Sequence, residues 1–185
     1  DGKCWSWGEN NNGQLGNDNT TDQDTPVDMT AVSGSPLIGK RIRHVMGSDG
    51  NSNIQRLFFL TTDGEVFFCG QNENYGNYSG VISASASVDI DMPTALTDAA
   101  STINSDGQKV VAMYTSGGRY STQWFITDGG NSGESASKVY ACGNNSQGEM
   151  GTGSDIADGN AAGNWRLKEI EFDSGPEIMT IAHNS

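Results

Sequence analysis

The fold of this chain is decided by its first sixteen residues, Asp1-Gly2-Lys3-Cys4-Trp5-Ser6-Trp7-Gly8-Glu9-Asn10-Asn11-Asn12-Gly13-Gln14-Leu15-Gly16. They combine an Asp-Gly pair, a short apolar run that ends on a glycine, and a glycine-rich loop that begins with an asparagine two places later. Asp-Gly suits a tight hairpin turn, because glycine adopts positive φ at no steric cost and Asp tolerates it. The stretch therefore indicates a turn, a strand and a compact loop.

The same pattern recurs twice along the 185 residues, so the sequence is built of repeats. Asp63 to Gly70 matches the first copy without gaps, Ser137 to Gly143 matches its strand, and the closing glycines are 62 and 73 residues apart. The glycine loop keeps its spacing in the third copy and is degenerate in the second. The positions that we assign to this structural motif are Gly8, Asn10, Gly13, Gln14, Leu15, Gly16, Gly64, Gly70, Asn72, Gly76, Gly143, Asn145, Gly148, Met150 and Gly151. We expect its glycines to permit tight turns, and Leu15 or Met150 to fill the gap between neighbouring units.

Two other strand patterns lie between these copies. An alternating run at Ile42 to Gly47 is matched by Val110 to Tyr114, and an aromatic run at Leu57 to Thr62 is matched by Gln123 to Thr127. Return strands are expected from near Pro26-Val27, Pro93-Thr94 and Trp165-Arg166, and Ile178 to His183 looks like a third copy of the first strand. We therefore predict an all-β chain of eleven strands, with Ala95 to Ile103 as the one stretch suited to a helical turn or two.

These motifs resemble the regulator of chromosome condensation repeat family. The resemblance rests on residues 1 to 16, Leu60 to Gly70 and Cys142 to Gly151. It implies a β-propeller, commonly of about seven four-stranded antiparallel blades, of which this chain supplies about three. Because an open propeller exposes unpaired strand edges, we expect a partial propeller that belongs to a longer ring or is completed by symmetric copies. Repeat-like units are expected at 1–41, 42–109 and 110–177, with 178–185 starting the next.

The charge balance argues against nucleic acid and membrane partners, and the cysteines argue against a disulfide framework or a zinc site. Ten Lys and Arg against 23 Asp and Glu give a formal charge of -13, which repels phosphate backbones and anionic lipids. No apolar run approaches the roughly 20 residues of a transmembrane helix. We therefore expect no nucleic acid partner and no membrane insertion. The three cysteines contain no C-x-x-C pair, so neither a disulfide framework nor a zinc ribbon is indicated.

No constellation of residues points to catalysis. A Ser-His-acid arrangement needs a placed histidine, and His44 and His183 have no nearby motif, so we interpret both as structural. Cys69 and Cys142 stand where the first copy has Trp7, which favours apolar packing over a reactive thiol. We predict no catalytic residue and a protein that is not an enzyme.

Ligand motifs are incomplete as well. Asp49 to Asn53 begins like a calcium loop, but Ile54 and Leu60 stand where the loop needs its glycine and its bidentate acid. The glycine loops lack the lysine and following helix of a phosphate loop. We predict no metal and no cofactor. Glycosylation sequons start at Asn19, Asn77 and Asn144, and they matter only in a protein secreted from a eukaryote.

Function must then reside in surface and assembly. We predict a non-enzymatic propeller segment that serves structure, attachment or recognition in a larger surface-exposed, fibre or virion-type assembly, with other protein chains, including copies of itself, as partners. Richness in Asn, Ser, Thr and Gly favours an extracellular or virion-surface location. The alternative is a soluble regulator or inhibitor that binds a partner enzyme or small GTPase through loops such as 17–24 and 79–91. Chromatin binding fits the acidic charge less well, and a propeller hydrolase or lyase is least favoured.

Overall fold

The computed structural model describes residues 2–49, 55–71, 89–96, 108–116, 122–128, 137–143, 145, 148–153 and 167–172. These ranges contain ten strands, which are β1 (Trp5–Gly8), β2 (Gln23–Asp28), β3 (Ile42–Asp49), β4 (Gln55–Thr61), β5 (Val66–Gly70), β6 (Ile90–Ala95), β7 (Val110–Thr115), β8 (Thr122–Thr127), β9 (Val139–Gly143) and β10 (Lys168–Ile170). The first two strands pair with each other, and the other eight form two four-stranded sheets in the orders β3-β4-β5-β6 and β7-β8-β9-β10. Every pair is antiparallel, so each larger sheet is a meander.

The two larger sheets are copies of one another in register as well as in order. Phe59 lies opposite Phe67 between β4 and β5, and Phe125 lies opposite Tyr140 between β8 and β9. The first strand of each sheet, β3 or β7, carries a register shift within its first three residues. The aromatic pairs at equivalent positions stabilise each sheet through cross-strand contact.

The central strands form the core. All five residues of β5 and of β9, and all six of β8, are buried. Between the two larger sheets, the rings of Phe58 and Phe125 lie with their centroids 6.2 Å apart, while Phe58 also packs on Phe68 at 6.0 Å within its own sheet. Strands buried on both faces read as continuous apolar runs, which is why these segments stand out in the sequence.

The return strands begin earlier than their prolines suggest. Pro26 lies inside β2 and Pro93 inside β6, and each strand begins three residues before its proline. Both strands lie at the outer edge of their sheet, where a residue without an N–H removes no ladder hydrogen bond. The third return strand, β10, begins at Lys168, beyond Trp165-Arg166, which lies outside the described residues.

Ten of the eleven expected strands are confirmed. The remaining one, 178–183, lies outside the described residues, as do 97–103, Asn72, Gly76, Asn77, Asn144 and His183. The expected boundaries between repeat-like units stay predictions. Within the part of the chain that the structure describes, no strand joins β1 on the side away from β2, so the first sheet is half the width of the others.

Candidate functional site

The connection between β1 and β2, residues 9–22, is here called the first glycine loop, and a buried asparagine organises it. Asn10 is completely buried, and its Oδ1 accepts a hydrogen bond of 2.9 Å from the backbone N–H of Leu15. Its Nδ2 donates to Oδ1 of Asn17 at 2.9 Å and to the carbonyl oxygens of Asn19 and Thr21 at 2.8 and 3.1 Å. One side chain thus holds both arms of the loop together, because an amide offers donors and an acceptor at once.

The last glycine loop, described at Asn145 and Gly148–Gly153, repeats this construction. Asn145 is buried, and its Oδ1 accepts a hydrogen bond of 2.9 Å from the N–H of Met150. The N–H of Gly151 donates to the carbonyl of Gly148 at 3.0 Å, as the N–H of Gly16 donates to that of Gly13 in the first loop at 2.9 Å. The identical sequence spacing therefore corresponds to the same two hydrogen bonds in both loops.

The first glycine loop rests against the second sheet in a contact that we call the first joint. The Cys69 thiol donates to the carbonyl oxygen of Gln14 at 3.1 Å. A Cβ added at Gly16 would lie 2.9 Å from Sγ of Cys69, and one added at Gly13 would lie 2.6 Å from Cα of Asp91. Gly13 and Gly16 are thus needed for two reasons: they form the turns of the loop, and any side chain there would collide with β5 or β6, which lie against the loop.

The backbone carbonyls of Gly2 and Gly64 connect each unit to the next one. The N–H of Ile42, at the start of β3, donates to the carbonyl of Gly2 at 2.8 Å, and the N–H of Val110, at the start of β7, donates to that of Gly64 at 3.0 Å. Each of these glycines therefore positions the first strand of the following sheet. The same bond is made in both copies, so both glycines are part of the scaffold.

The outward face of β1 carries the largest exposed apolar side chains of the described residues. Trp5 is 50% exposed and Trp7 is 61% exposed. Lys3 Nζ lies 5.7 Å from the centroid of the Trp5 ring and forms an ion pair of 2.8 Å with Asp28 on β2. The hydrogen bond from Lys3, followed by that from Thr30, holds the pKa of the Asp28 carboxyl below its usual value. This face presents two indole rings and a cation to whatever lies against it.

The cysteines have the packing role that the sequence predicts. Cys4, Cys69 and Cys142 are free and buried. Burial raises the pKa of Cys69 far above that of an ordinary thiol, and the nearby Cys4 raises it further. Trp7, which occupies the equivalent place on β1, is exposed instead, because no described strand or loop covers that side of the first sheet.

The structure places His44 and the start of the partial calcium motif on β3. His44 lies on β3 with an exposed side chain, which differs from a packed structural histidine. The described residues contain no group of three or more His, Cys, Asp or Glu side chains suited to a metal ion. Of the partial calcium motif, Asp49 ends β3 and residues 50–54 lie outside the described residues. No described helix has the length and apolar character needed to cross a membrane.

The sequence reasoning missed several buried polar side chains, of which Arg56 and Gln108 are examples. Arg56, on β4, is 2% exposed and its Nε donates to the carbonyl of Gln71 at 2.6 Å. Gln108, just before β7, accepts hydrogen bonds from Thr127 Oγ1 at 2.9 Å and from the Tyr140 hydroxyl at 3.2 Å. A single charged or amide residue has no periodicity of its own, so the sequence pattern gives no signal for its burial.

The sequon at Asn19 lies within the first glycine loop. Its Oδ1 accepts from the N–H of Thr21 at 2.9 Å, and its Nδ2 donates to the carbonyl of Asn17 at 3.2 Å. The amide nitrogen that a glycan would modify is therefore already used inside the loop. The other two sequons, at Asn77 and Asn144, lie outside the described residues.

Comparison with known proteins bears on this repeated architecture. Residues 1–52 match the family model described as Regulator of chromosome condensation (RCC1) repeat. Residues 1–52 are therefore similar to one RCC1 repeat. No curated protein sequence matches the chain significantly.

Solved structures similar to this chain include human WBSCR16, at 18% identity and a TM-score of 0.56, with 84% of this chain and 31% of that chain covered. Prp20p from Saccharomyces cerevisiae is similar at 15% identity and a TM-score of 0.60, with 92% of this chain and 34% of that chain covered. The chain thus spans about a third of the length of these structures. The likeness concerns the fold, and it confirms a partial β-propeller with two four-stranded blades and one two-stranded sheet described.

Proposed function

We propose that this chain is a non-enzymatic protein-interaction segment of an RCC1-type propeller, which serves structure, attachment or recognition in a larger assembly. The observation that carries the proposal is the outward face of β1, where Trp5 and Trp7 are 50% and 61% exposed on an otherwise well-packed scaffold. Large exposed aromatic side chains side by side are typical of protein interfaces. The similar propeller Prp20p has binding properties to Gsp1p and histones, which supports protein partners for this architecture.

The charge and composition support the finer parts of the proposal. A net charge of -13 attracts protein surfaces of positive sign and speeds encounter with them. The richness in Asn, Ser, Thr and Gly supports our proposal of an extracellular or virion-surface setting, in a surface-exposed, fibre or virion-type assembly. Nucleic acid is disfavoured by the same negative charge.

The test is chemical cross-linking of native material followed by mass spectrometry of the linked peptides. We expect links between lysines of this chain and other protein chains close to Trp5 and Trp7, most of all at Lys3, which lies two residues before β1 with its Nζ 5.7 Å from the Trp5 ring centroid. Exchange of Trp7 for Ala should remove those links, while exchange of the exposed Ile38 for Ala, on the connection between β2 and β3, should leave them unchanged. Material in which no protein is linked near β1 would refute the proposal.

A second candidate function is supported by the first glycine loop. Residues 17–24, which are the second half of this loop and the first two residues of β2, are mostly exposed and are held in place by the Asn10 hydrogen bonds to Asn17, Asn19 and Thr21. A rigid acidic loop suits the binding of one basic partner site by a soluble regulator or inhibitor of an enzyme or small GTPase.

The two functions differ in which substitution weakens binding. Neutralising Asp18 and Asp24 to Asn should weaken a regulatory partner and reduce the salt dependence of its binding. The matched control is Asp63→Asn, which removes a charge from the exposed turn before β5. If Trp7→Ala weakens partner binding and the Asp18 and Asp24 exchanges do not, the regulator function is excluded.

A further inference from the structure

Positive charge is concentrated in two stretches of this acidic chain. Residues 29–48 and 107–127 are its two longest stretches without Asp or Glu, and together they hold five of the ten Lys and Arg residues. The first stretch contains β3 up to residue 48, the second contains β7, and these two strands contact each other in the fold. The structure therefore brings the two acid-free stretches side by side.

The turn between β4 and β5 lies between these stretches. Thr62, in the turn, donates its backbone N–H to the carbonyl of Arg41 at 2.8 Å. Two residues later, a Cβ added at Gly64 would lie 2.4 Å from Cβ of Lys109. Arg41 and Lys109 each stand immediately before the first strand of a sheet, at equivalent positions of the repeat. One turn thus has a cation from each stretch beside it.

Three of the cations at this end of the sheets are open to solvent. Arg41, Arg43 and Lys109 are exposed, and the structure shows no ion pair of their side chains with any described residue. Lys40 differs, because it is paired with Glu65 of the turn. Lys109 stands where the second and third sheets meet, and it is exposed all the same. We call Arg41, Arg43 and Lys109 the basic cluster.

The described carboxylates at the turn do not cancel this charge. Asp63 is exposed in the turn itself, Glu65 is paired with Lys40, and Asp128 accepts the backbone N–H of Lys109 through Oδ1 at 2.9 Å. With Lys40 counted, four cations stand against these three acids, in a chain whose formal charge is -13. The local excess of charge therefore has the opposite sign to that of the whole chain.

We propose that the basic cluster binds a short run of Asp and Glu side chains in a partner protein. An arginine guanidinium bonds both oxygens of one carboxylate in parallel, and a lysine adds a point charge. Three cations beside one turn match a few carboxylates, whereas a nucleic-acid site needs an extended positive groove. At a salt concentration of about 0.1 M, charges act over about 10 Å, so a short segment responds to the cluster more than to the rest of the chain. The cluster is a further interaction surface, beyond the β1 face of the proposed function.

Fluorescence anisotropy with a labelled octaglutamate peptide tests the proposal. We expect the chain to bind the peptide, and Arg41→Gln/Arg43→Gln to weaken binding by about two- to fivefold for each charge removed. Lys138→Gln/Lys168→Gln is the matched control, because it removes the same charge from the third sheet, and it should leave the affinity unchanged. Far-ultraviolet circular dichroism checks that the variants are folded. If the unmodified chain does not bind the peptide, or if both double variants weaken binding equally, the proposal is overturned.

Lys109→Gln gives an independent measurement from the second stretch. Because Lys109 lies at the same turn as Arg41, its exchange should also weaken peptide binding by about two- to fivefold. An affinity that Lys109→Gln leaves unchanged would contradict a cluster shared by the two stretches.

A labelled single-stranded oligothymidylate of the same charge distinguishes an acidic peptide from a nucleic acid. We expect it to bind more weakly than octaglutamate, and equal or tighter binding would overturn the proposal in favour of a phosphate ligand. None of these measurements uses a native partner, so a negative result leaves cross-links at the β1 face unaffected. Failure of this inference is therefore distinguishable from failure of the proposed function.

Discussion

Replacing Asn10 by Ala tests whether one buried amide holds the glycine loop together. The exchange removes the acceptor of the Leu15 N–H and the donor to Asn17, Asn19 and Thr21. Leu15 is 4% exposed, so its N–H is left unsatisfied away from water, at a cost of about 1–3 kcal/mol. The other partners lie nearer solvent, where water replaces part of what is lost, at about 0.5–1.5 kcal/mol for a net hydrogen bond.

The expected loss of unfolding free energy is therefore about 2–4 kcal/mol, a large part of the roughly 5–15 kcal/mol that stabilises an ordinary domain. Urea unfolding followed by far-ultraviolet circular dichroism measures it as a lower midpoint at constant slope. Amide hydrogen exchange should show faster exchange at Leu15 in particular. Asn145→Ala should have a similar effect through Met150, whose N–H bonds to the Asn145 side chain at 2.9 Å.

The matched control is Asn11→Ala, one position along the chain. Asn11 is exposed, and its side chain bonds to the exposed carboxylate of Glu9 at 2.9 Å, so the change should stay within about 0.5 kcal/mol. If Asn10→Ala is as mild as this control, the loop is not organised by its buried asparagine and the reasoning is wrong.

Three further predictions concern the scaffold and its titration. Gly70→Ala should destabilise the protein by about 1–3 kcal/mol more than Gly8→Ala. Both glycines have φ of 104°, but only at Gly70 would an added Cβ meet the backbone, 2.2 Å from the Gln55 carbonyl oxygen of β4. The midpoints of urea unfolding of the two variants measure this difference. The Cys69 thiol should stay unreactive toward an aromatic disulfide in the folded protein. Because its pKa in the folded protein is raised above the ordinary 9.0, the free energy of unfolding should fall as pH rises above about 9. Cys69→Ala should reduce that fall. Asp28 has a lowered pKa in the folded protein, so its contribution to the free energy of unfolding is present above the usual carboxyl pKa and is lost as pH falls through the lower folded pKa. Because Lys3 is the main cause of that lowering, thermal melts of Lys3→Ala should show a smaller loss of melting temperature at acid pH.

The strands and turns were predictable because their signals are local. The aromatic runs of β4 and β8 and the Asp-Gly pair before β5 are recognisable within a few residues, since strand burial and turn geometry act on adjacent positions. The repeat spacing also predicts that Asn10 and Asn145 are equivalent, and each side chain accepts a hydrogen bond from the backbone N–H five residues later. The starts of the return strands were less accurate, because a proline at a sheet edge interrupts the pattern without interrupting the strand.

The candidate site was less predictable. The alignment of the repeats places Trp7 with Cys69, and it correctly indicates that Cys69 is a packing residue. It contains no information that Trp7 is exposed, because exposure depends on whether another unit rests on that face. Likewise, the burial of Arg56 on β4 depends on neighbouring strands and on the carbonyl of Gln71, which lies fifteen residues away along the chain.

The sequence alone shows that this chain is a run of antiparallel sheets, with a glycine loop between the last two strands of the first and third, since the repeats encode their own turns and strands. Only the tertiary structure decided which copies of a motif are covered. Gly16 lies against Cys69 while Gly151 is exposed, and Cys69 is buried while Trp7 is open. The physical reason is that turns and strand patterns depend on neighbouring residues, whereas burial of a sheet face depends on the unit packed against it.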